Sequence, residues 1–291
     1  MTEDGFTGST VALVGLRLMG GSLALALKAK GAAREIVGID SRPATLEQAL
    51  ARGAVDQASG ELAAARDAAV IILATPVRTI LQQLAELGEL AADGALLLDL
   101  GSTKRQVVQA MDRLPARLFA VGGHPMCGKE TSGFQVAEAS LFLNKPFLLT
   151  PTARSSEAAL ARAVELARSV GAKPIVLEAE RHDQIVAAIS HLPSVVAANL
   201  VTTVDEFAGA DERFWQIASS GFRDTTRLAA SDVEMMLDIL LTNGENIADL
   251  MRRYSRRFAA LADWIYDEDA AALRAALEAA AARRRELNPH V

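Results

Sequence analysis

The chain has 291 residues, 51% hydrophobic and 23% charged, enough to bury the core of one large domain or two ordinary ones. Its net charge of -6 argues against a general nucleic-acid binder, which needs a basic surface, and its single cysteine, Cys127, excludes an intrachain disulfide. The N-terminus is acidic and unlike a signal peptide, and no uninterrupted apolar run approaches the ~18–20 residues of a membrane span, so a cytoplasmic protein with no membrane partner is expected.

Strand and helix signals alternate through the first half. A β-branched run over 11–14 predicts a strand, followed by a glycine-rich turn and a helix over 22–30 that stops at Gly31. Further strands are predicted over 36–39, 70–73, 96–98, 118–121, 147–149 and 174–177, with helices over 45–51, 77–87 and 157–170. Short, continuously apolar strands separated by helices imply a parallel sheet covered on both faces. Beyond Glu178 the strand signals stop, and helices are predicted over 180–204, 233–243, 245–266 and 269–287. This gives a dinucleotide-binding domain over 1–178 and a helical domain over 179–291, whose apolar faces invite pairing with a second copy. The arginines at 283–285 end the last helix, where positive charge suits the helix dipole.

Gly15-Leu16-Arg17-Leu18-Met19-Gly20 joins the first strand to the first helix. Such a turn lets a pyrophosphate rest on helix N-terminal N–H groups. Asp40 follows 20 residues after Gly20, at the end of the second strand, where a carboxylate takes a ribose 2′-hydroxyl. Arg17 stands where the middle glycine is usual, either leaning over the pyrophosphate or pointing to solvent. Asp40 favours NAD, while Ser41 and Arg42 leave NADP possible. Thr75-Pro76 and Gly101-Ser102 follow apolar strands, where ligands collect in an open parallel sheet. Ser102 is also a candidate N-cap for the next helix. His124, between Gly122-Gly123 and Pro125, is a titratable group on a stiff turn at a strand end. In the helical half, His191 lies in Ser190-His191-Leu192-Pro193, with Pro193 expected to kink its helix. Arg223 and Arg227, four apart, suit a carboxylate or a dianion. No metal site is apparent: the histidines are scattered and the cysteine is alone.

Taken in order, the stretches 15–22, 99–104, 123–128, 190–193 and 221–227 resemble the prephenate dehydrogenase and arogenate dehydrogenase family of tyrosine biosynthesis, over roughly residues 9–265. The resemblance implies a Rossmann-type α/β domain followed by an all-helical dimerisation domain, a homodimer and oxidative decarboxylation of a ring acid with NAD(P). It implies that His124 accepts the substrate hydroxyl proton and that Ser102 orients that hydroxyl and the nicotinamide. It also implies that Arg227 binds a substrate carboxylate, with Arg223 and Asp224 at the mouth of the site and His191 lining it. Lys129 stands where relatives carry a small hydroxyl residue and offers a further carboxylate contact. The stretch beyond the helical domain is too short for the regulatory ACT domain of some relatives. Competing expectations are an amino-deoxyprephenate enzyme, a β-hydroxyacid dehydrogenase and an NAD(H)-sensing protein without turnover; the last leaves His124 and Ser102 unexplained.

Overall fold

The computed structural model describes residues 8–129 and 131–287; most of the acidic N-terminal stretch lies outside them. The first part runs β1 (Thr10–Val14), α1 (Leu18–Lys30), β2 (Glu35–Ile39), α2 (Pro43–Ala51), β3 (Gln57–Ser59), β4 (Val70–Leu73), α3 (Val77–Leu90), β5 (Leu96–Asp99), α4 (Arg105–Asp112), β6 (Phe119–Pro125), β7 (Pro146–Pro151), α5 (Glu157–Ser169) and β8 (Lys173–Val176). The strands form one sheet in the order β3-β2-β1-β4-β5-β6-β7-β8. The order reverses between β1 and β4, which opens a crevice at the carboxyl ends of those strands.

The sheet is not wholly parallel. β7 runs antiparallel to β6, and this changes the setting of His124. β5 pairs with β6 only as far as Val121, where the predicted strand ended. Pairing with β7 carries the ladder on to Pro125 and sets His124 opposite Leu148. His124 therefore sits in a strand, held by a backbone ladder, and not on a turn.

Side chains of a strand alternate between faces, so each apolar run feeds two cores. Val11, Leu13, Val70, Ile72, Leu96 and Leu98 are buried with Leu23 and Leu27 of α1 and Leu166 of α5. Ala12, Val14, Ile71, Leu73 and Leu97 are buried on the other face with Ile80 and Leu84 of α3 and Val107 and Met111 of α4. α1 begins at Leu18, earlier than predicted, because Gly20 and Gly21 are helical and buried. An alanine Cβ at Gly20 would stand 1.9 Å from the Gly15 carbonyl oxygen, a contact with rigid backbone. Gly20→Ala is therefore expected to destabilise the chain by at least about 3 kcal/mol, at the upper end of overpacking costs. A melting temperature unchanged from that of the unmodified chain would show that the turn yields.

The remaining elements are helical: α6 (Ala179–Val186), a π-helical turn (Ala187–His191), α7 (Leu192–Ala208), α8 (Arg213–Ile217), α9 (Ser220–Thr226), a 3-10 turn (Arg227–Ala230), α10 (Val233–Thr242), α11 (Gly244–Tyr266) and α12 (Ala270–Glu286). The predicted helix over 180–204 is thus two helices joined by a π turn. Pro193 falls in the first turn of α7, where a missing N–H costs little. The short α8 carries no periodic signal and was not predicted.

The chain divides into two compact units, one up to Gly244 and one from Glu245. In the first, Ile189, Phe207, Ile217, Val233 and Leu241 are exposed; in the second, Phe258, Ile265 and Leu277 are. The helical run Ala179–Ala208 is long and apolar enough to cross a membrane by length and composition, although serines, histidines and an asparagine interrupt its apolar sequence. Arg283 pairs with Glu286 at 2.8 Å, both exposed, as expected of a solvated terminal helix.

Candidate active site

The carboxyl ends of β1, β4, β5 and β6 bring four of the sequence-predicted stretches to one edge of the sheet. Gly15 leaves β1 at φ +91°, a left-handed conformation suited to glycine. A Cβ there would lie 2.9 Å from the Ala74 carbonyl, so this glycine also allows the β4 end to approach. Asp40 is buried at the end of β2 and its Oδ2 accepts from Leu16 N at 2.9 Å. Arg42 forks the same carboxylate, Nε to Oδ1 at 3.0 Å and Nη2 to Oδ2 at 3.1 Å. Burial works against the charged form, yet the bonds from Arg42 and Leu16 hold the Asp40 carboxyl below the usual range. Ser41 is exposed, and the Thr75 hydroxyl donates to Gln83 at 2.7 Å. A glycine turn at a helix N-terminus, a close-packed Gly20 and an ionised Asp40 fit a bound dinucleotide.

Arg17 is engaged by the protein itself. Its guanidinium pairs with Asp232 at 2.8 Å and donates to Ser132 Oγ at 3.0 Å. Asp232 also caps α10, accepting from Met235 N at 3.0 Å. Two further bonds tie α10 to the first turn of α3 and to the loop after β5, Arg78 N to Asp238 at 3.0 Å and Thr103 to Thr242 at 2.8 Å. Ser102 is not an N-cap. α4 begins at Arg105 without a side-chain cap of its own. Instead Asp183, from α6, accepts Lys104 N at 2.7 Å and Arg105 N at 3.0 Å.

Asp183 begins a chain of bonds that ends at His124. Its Oδ1 accepts from His182 Nδ1 at 2.8 Å, and His182 Nε2 lies 2.9 Å from His124 Nδ1. Burial opposes ionisation of Asp183, but His182 and the two backbone N–H groups hold its carboxyl below the usual range. Burial also keeps His182 neutral by lowering its pKa. The proton of His182 thus sits on Nδ1, its Nε2 accepts, and His124 must donate from Nδ1. His124 Nε2 is left with a lone pair. Burial first, then His182, Lys104 and His191, push the His124 pKa well below 6.5, so the ring is neutral at pH 7. A neutral imidazole with one basic nitrogen fixed by its neighbours is the form a general base requires.

His191 is buried too, and Asn243 Nδ2 approaches its Nδ1 at 3.3 Å while donating to the Asp183 carbonyl at 2.8 Å. Burial lowers the His191 pKa to about 4. A histidine with a depressed folded pKa gives stability that is complete above pH 6.5 and is lost as pH falls, because the unfolded chain takes the proton first. For His191 that loss reaches about 3 kcal/mol by pH 4, and His124 and His182 add to it in the same direction. The melting temperature is therefore expected to fall steeply below pH 6.5, and His191→Gln to flatten the fall. A flat profile between pH 6.5 and 4.5 would show these rings to be protonated in the fold.

The other predicted residues have surroundings of their own. Lys129 pairs with Glu138 at 2.9 Å and donates to the Val136 carbonyl at 3.0 Å. Arg223 and Arg227 are exposed on α9 and the turn after it. Burial pushes the Cys127 thiol up to about 12, which leaves it unreactive. Sequence reasoning missed His182, Asp183, Asp99 and Lys104. Asp99 and Lys104 lay inside a recognised motif, whereas His182-Asp183 showed only as an adjacent pair at a helix start.

A dinucleotide turn, an oriented neutral histidine at the next strand ends and a helical second half define a Rossmann-type oxidoreductase. The chain belongs to the prephenate dehydrogenase family: the family's nucleotide-binding domain model matches residues 23–176 and its dimerization domain model residues 178–279. A prephenate dehydrogenase of Bacillus subtilis is 37% identical over 90% of this chain and 71% of its own length. The A. aeolicus prephenate dehydrogenase, solved with hydroxyphenyl propionate and NAD+, superposes with a TM-score of 0.90 at 30% identity, covering 97% of this chain and 99% of that one. Arogenate dehydrogenase of Synechocystis gives a TM-score of 0.80 at 30% identity, over 96% of this chain and 100% of that one.

Proposed function

We propose that the chain catalyses the NAD-dependent oxidative decarboxylation of prephenate to 4-hydroxyphenylpyruvate. The observation that carries this reading is the Asp183–His182–His124 chain, which leaves a proton-free Nε2 on His124. Bound NAD+ supplies the acceptor for the hydrogen lost with its electron pair from the hydroxyl-bearing ring carbon. His124 Nε2 takes the hydroxyl proton as that carbon is oxidised. The electrons of the ring–carboxylate bond enter the ring as CO₂ leaves, and the proton returns to the phenolic oxygen. The positive charge on His124 is offset through His182 by the Asp183 carboxylate. Ser102, between Gly101 and the buried Thr103, orients the hydroxyl. His191, Arg223, Arg227 and Lys129 are the proposed substrate contacts, the arginines for its carboxylates.

The turn from Gly15 to Gly20 would hold the cofactor's pyrophosphate, with Thr75, Pro76 and Gly101 at the neighbouring strand ends, and Asp40 would take the adenosine ribose. Arg42 is engaged by Asp40 and so is not free for a 2′-phosphate, which supports NAD over NADP. The exposed apolar residues of the helical half and the match to a dimerization domain support a homodimer. Arogenate remains the second substrate to test, since a structural neighbour is named for it. The test is an assay of prephenate and arogenate with NAD+ and NADP+, following the reduced cofactor. Turnover of prephenate with NAD+ is expected; no turnover in any combination overturns the reading.

A further inference from the structure

Asp99 and Lys104 take no part in these steps, yet they sit at their centre. Both are 0% exposed and paired to each other. Asp99 Oδ1 accepts Gly123 N at 3.0 Å and its Oδ2 accepts Gly101 N at 2.8 Å. Those are the residues immediately before His124 and Ser102. On the other side, Lys104 N donates to Asp183 at 2.7 Å, and Asp183 holds His182, which holds His124. The bonds close a ring: Asp99, the Gly123–His124 backbone, His182, Asp183, Lys104 and Asp99 again.

The glycines of both motifs are explained by this ring. A Cβ at Gly123 would stand 2.4 Å from the Asp99 carbonyl oxygen, and one at Gly101 2.9 Å from Asp99 Oδ2. One at Gly122 would stand 3.1 Å from Lys104 Cδ. Larger residues would push the backbone off the buried pair. A buried ion pair is a weak source of stability, and well-packed apolar residues often replace one without loss. The placement of this pair, between the two loops that present the reacting groups, calls for another role.

We propose that Asp99 and Lys104 are positioning residues for the dehydrogenase reaction: the carboxylate anchors the backbones that present Ser102 and His124, and Lys104 ties that carboxylate to Asp183, which holds His182 against His124. The proposal rests on the dehydrogenase reading. The charged and titratable groups around His124 are Lys104, His182 and His191, with Asp99 and Asp183 reaching it through Gly123 N and His182. Lys104 opposes a proton on His124, and Asp99 tempers that opposition.

The test is the acidic limb of kcat/KM between pH 5 and 9 for the unmodified chain, Lys104→Met, Lys104→Arg and Asp99→Asn, with NAD+ binding and melting curves as controls of folding. Lys104→Met is expected to move the limb up by about one pH unit or more, as removal of a nearby like charge should. Lys104→Arg keeps the charge and is expected to leave the limb in place. Asp99→Asn leaves the ammonium unbalanced and is expected to move the limb down while lowering kcat. Loss of packing alone does not produce opposite shifts. Should Lys104→Met fail to fold, Asp99→Asn carries the test, since it preserves side-chain volume. An unmoved limb in a folded variant, or shifts in the same direction, overturns the proposal while the reaction stands. No turnover by the unmodified chain overturns the dehydrogenase reading and this proposal together.

Discussion

Replacing His124 by asparagine is expected to lower kcat by about 10²–10⁴-fold with NAD+ binding unchanged, the loss typical of a removed general base. Asparagine can still meet His182 Nε2 with an amide N–H, so the ring of buried bonds is kept while the basic nitrogen is lost. Its backbone remains paired with Leu148 and the fold is expected to persist. The dinucleotide turn lies on other strands, which is why binding and turnover should separate. Calorimetry with NAD+ and steady-state assays with prephenate check the two halves. Near-normal turnover would remove His124 from the proposed reaction.

Asp183→Asn is expected to cost a comparable factor, although Asp183 stands two bonds behind the reacting nitrogen. The carboxylate accepts three N–H groups, from His182, Lys104 and Arg105. An amide offers one oxygen and must turn its NH₂ toward one of these donors. If His182 Nδ1 meets the NH₂, its proton moves to Nε2, and His124 in turn must carry its proton on Nε2. The ring then faces the substrate as a donor and not as a base. The same substitution behind the histidine of a serine protease lowers kcat by about 10⁴, with the geometry intact. A loss of about 10²–10⁴ is expected here, with a stability cost of about 1–3 kcal/mol for the imperfectly paired backbone groups. Turnover within a few-fold of the unmodified chain would show that the His182 tautomer does not control His124.

The dinucleotide half was legible because its signals are local. Continuous apolar runs such as 70–73 cannot lie on a surface, and a glycine turn with Asp40 downstream leaves few alternatives. Arg17 was not legible, because its partner Asp232 is 215 positions away and a charged side chain takes whichever opposite charge the fold brings near. The pairing of Lys129 with Glu138 was not legible either, that carboxylate being indistinguishable in sequence from any other exposed one.

His124 marks the boundary between the two kinds of information. From the sequence came the edge of the sheet on which His124 lies and the family that carries it there, because both follow from apolar periodicity and motif order. Only the tertiary structure decided that β6 runs on through His124, since that depends on antiparallel pairing with a strand 21 or more residues later. Only the tertiary structure, too, decided which ring nitrogen is basic. A tautomer is set by hydrogen-bond partners, and these come from a helix that begins beyond the last strand. Pairing between distant segments leaves no periodicity in either of them, and so no local pattern announces it.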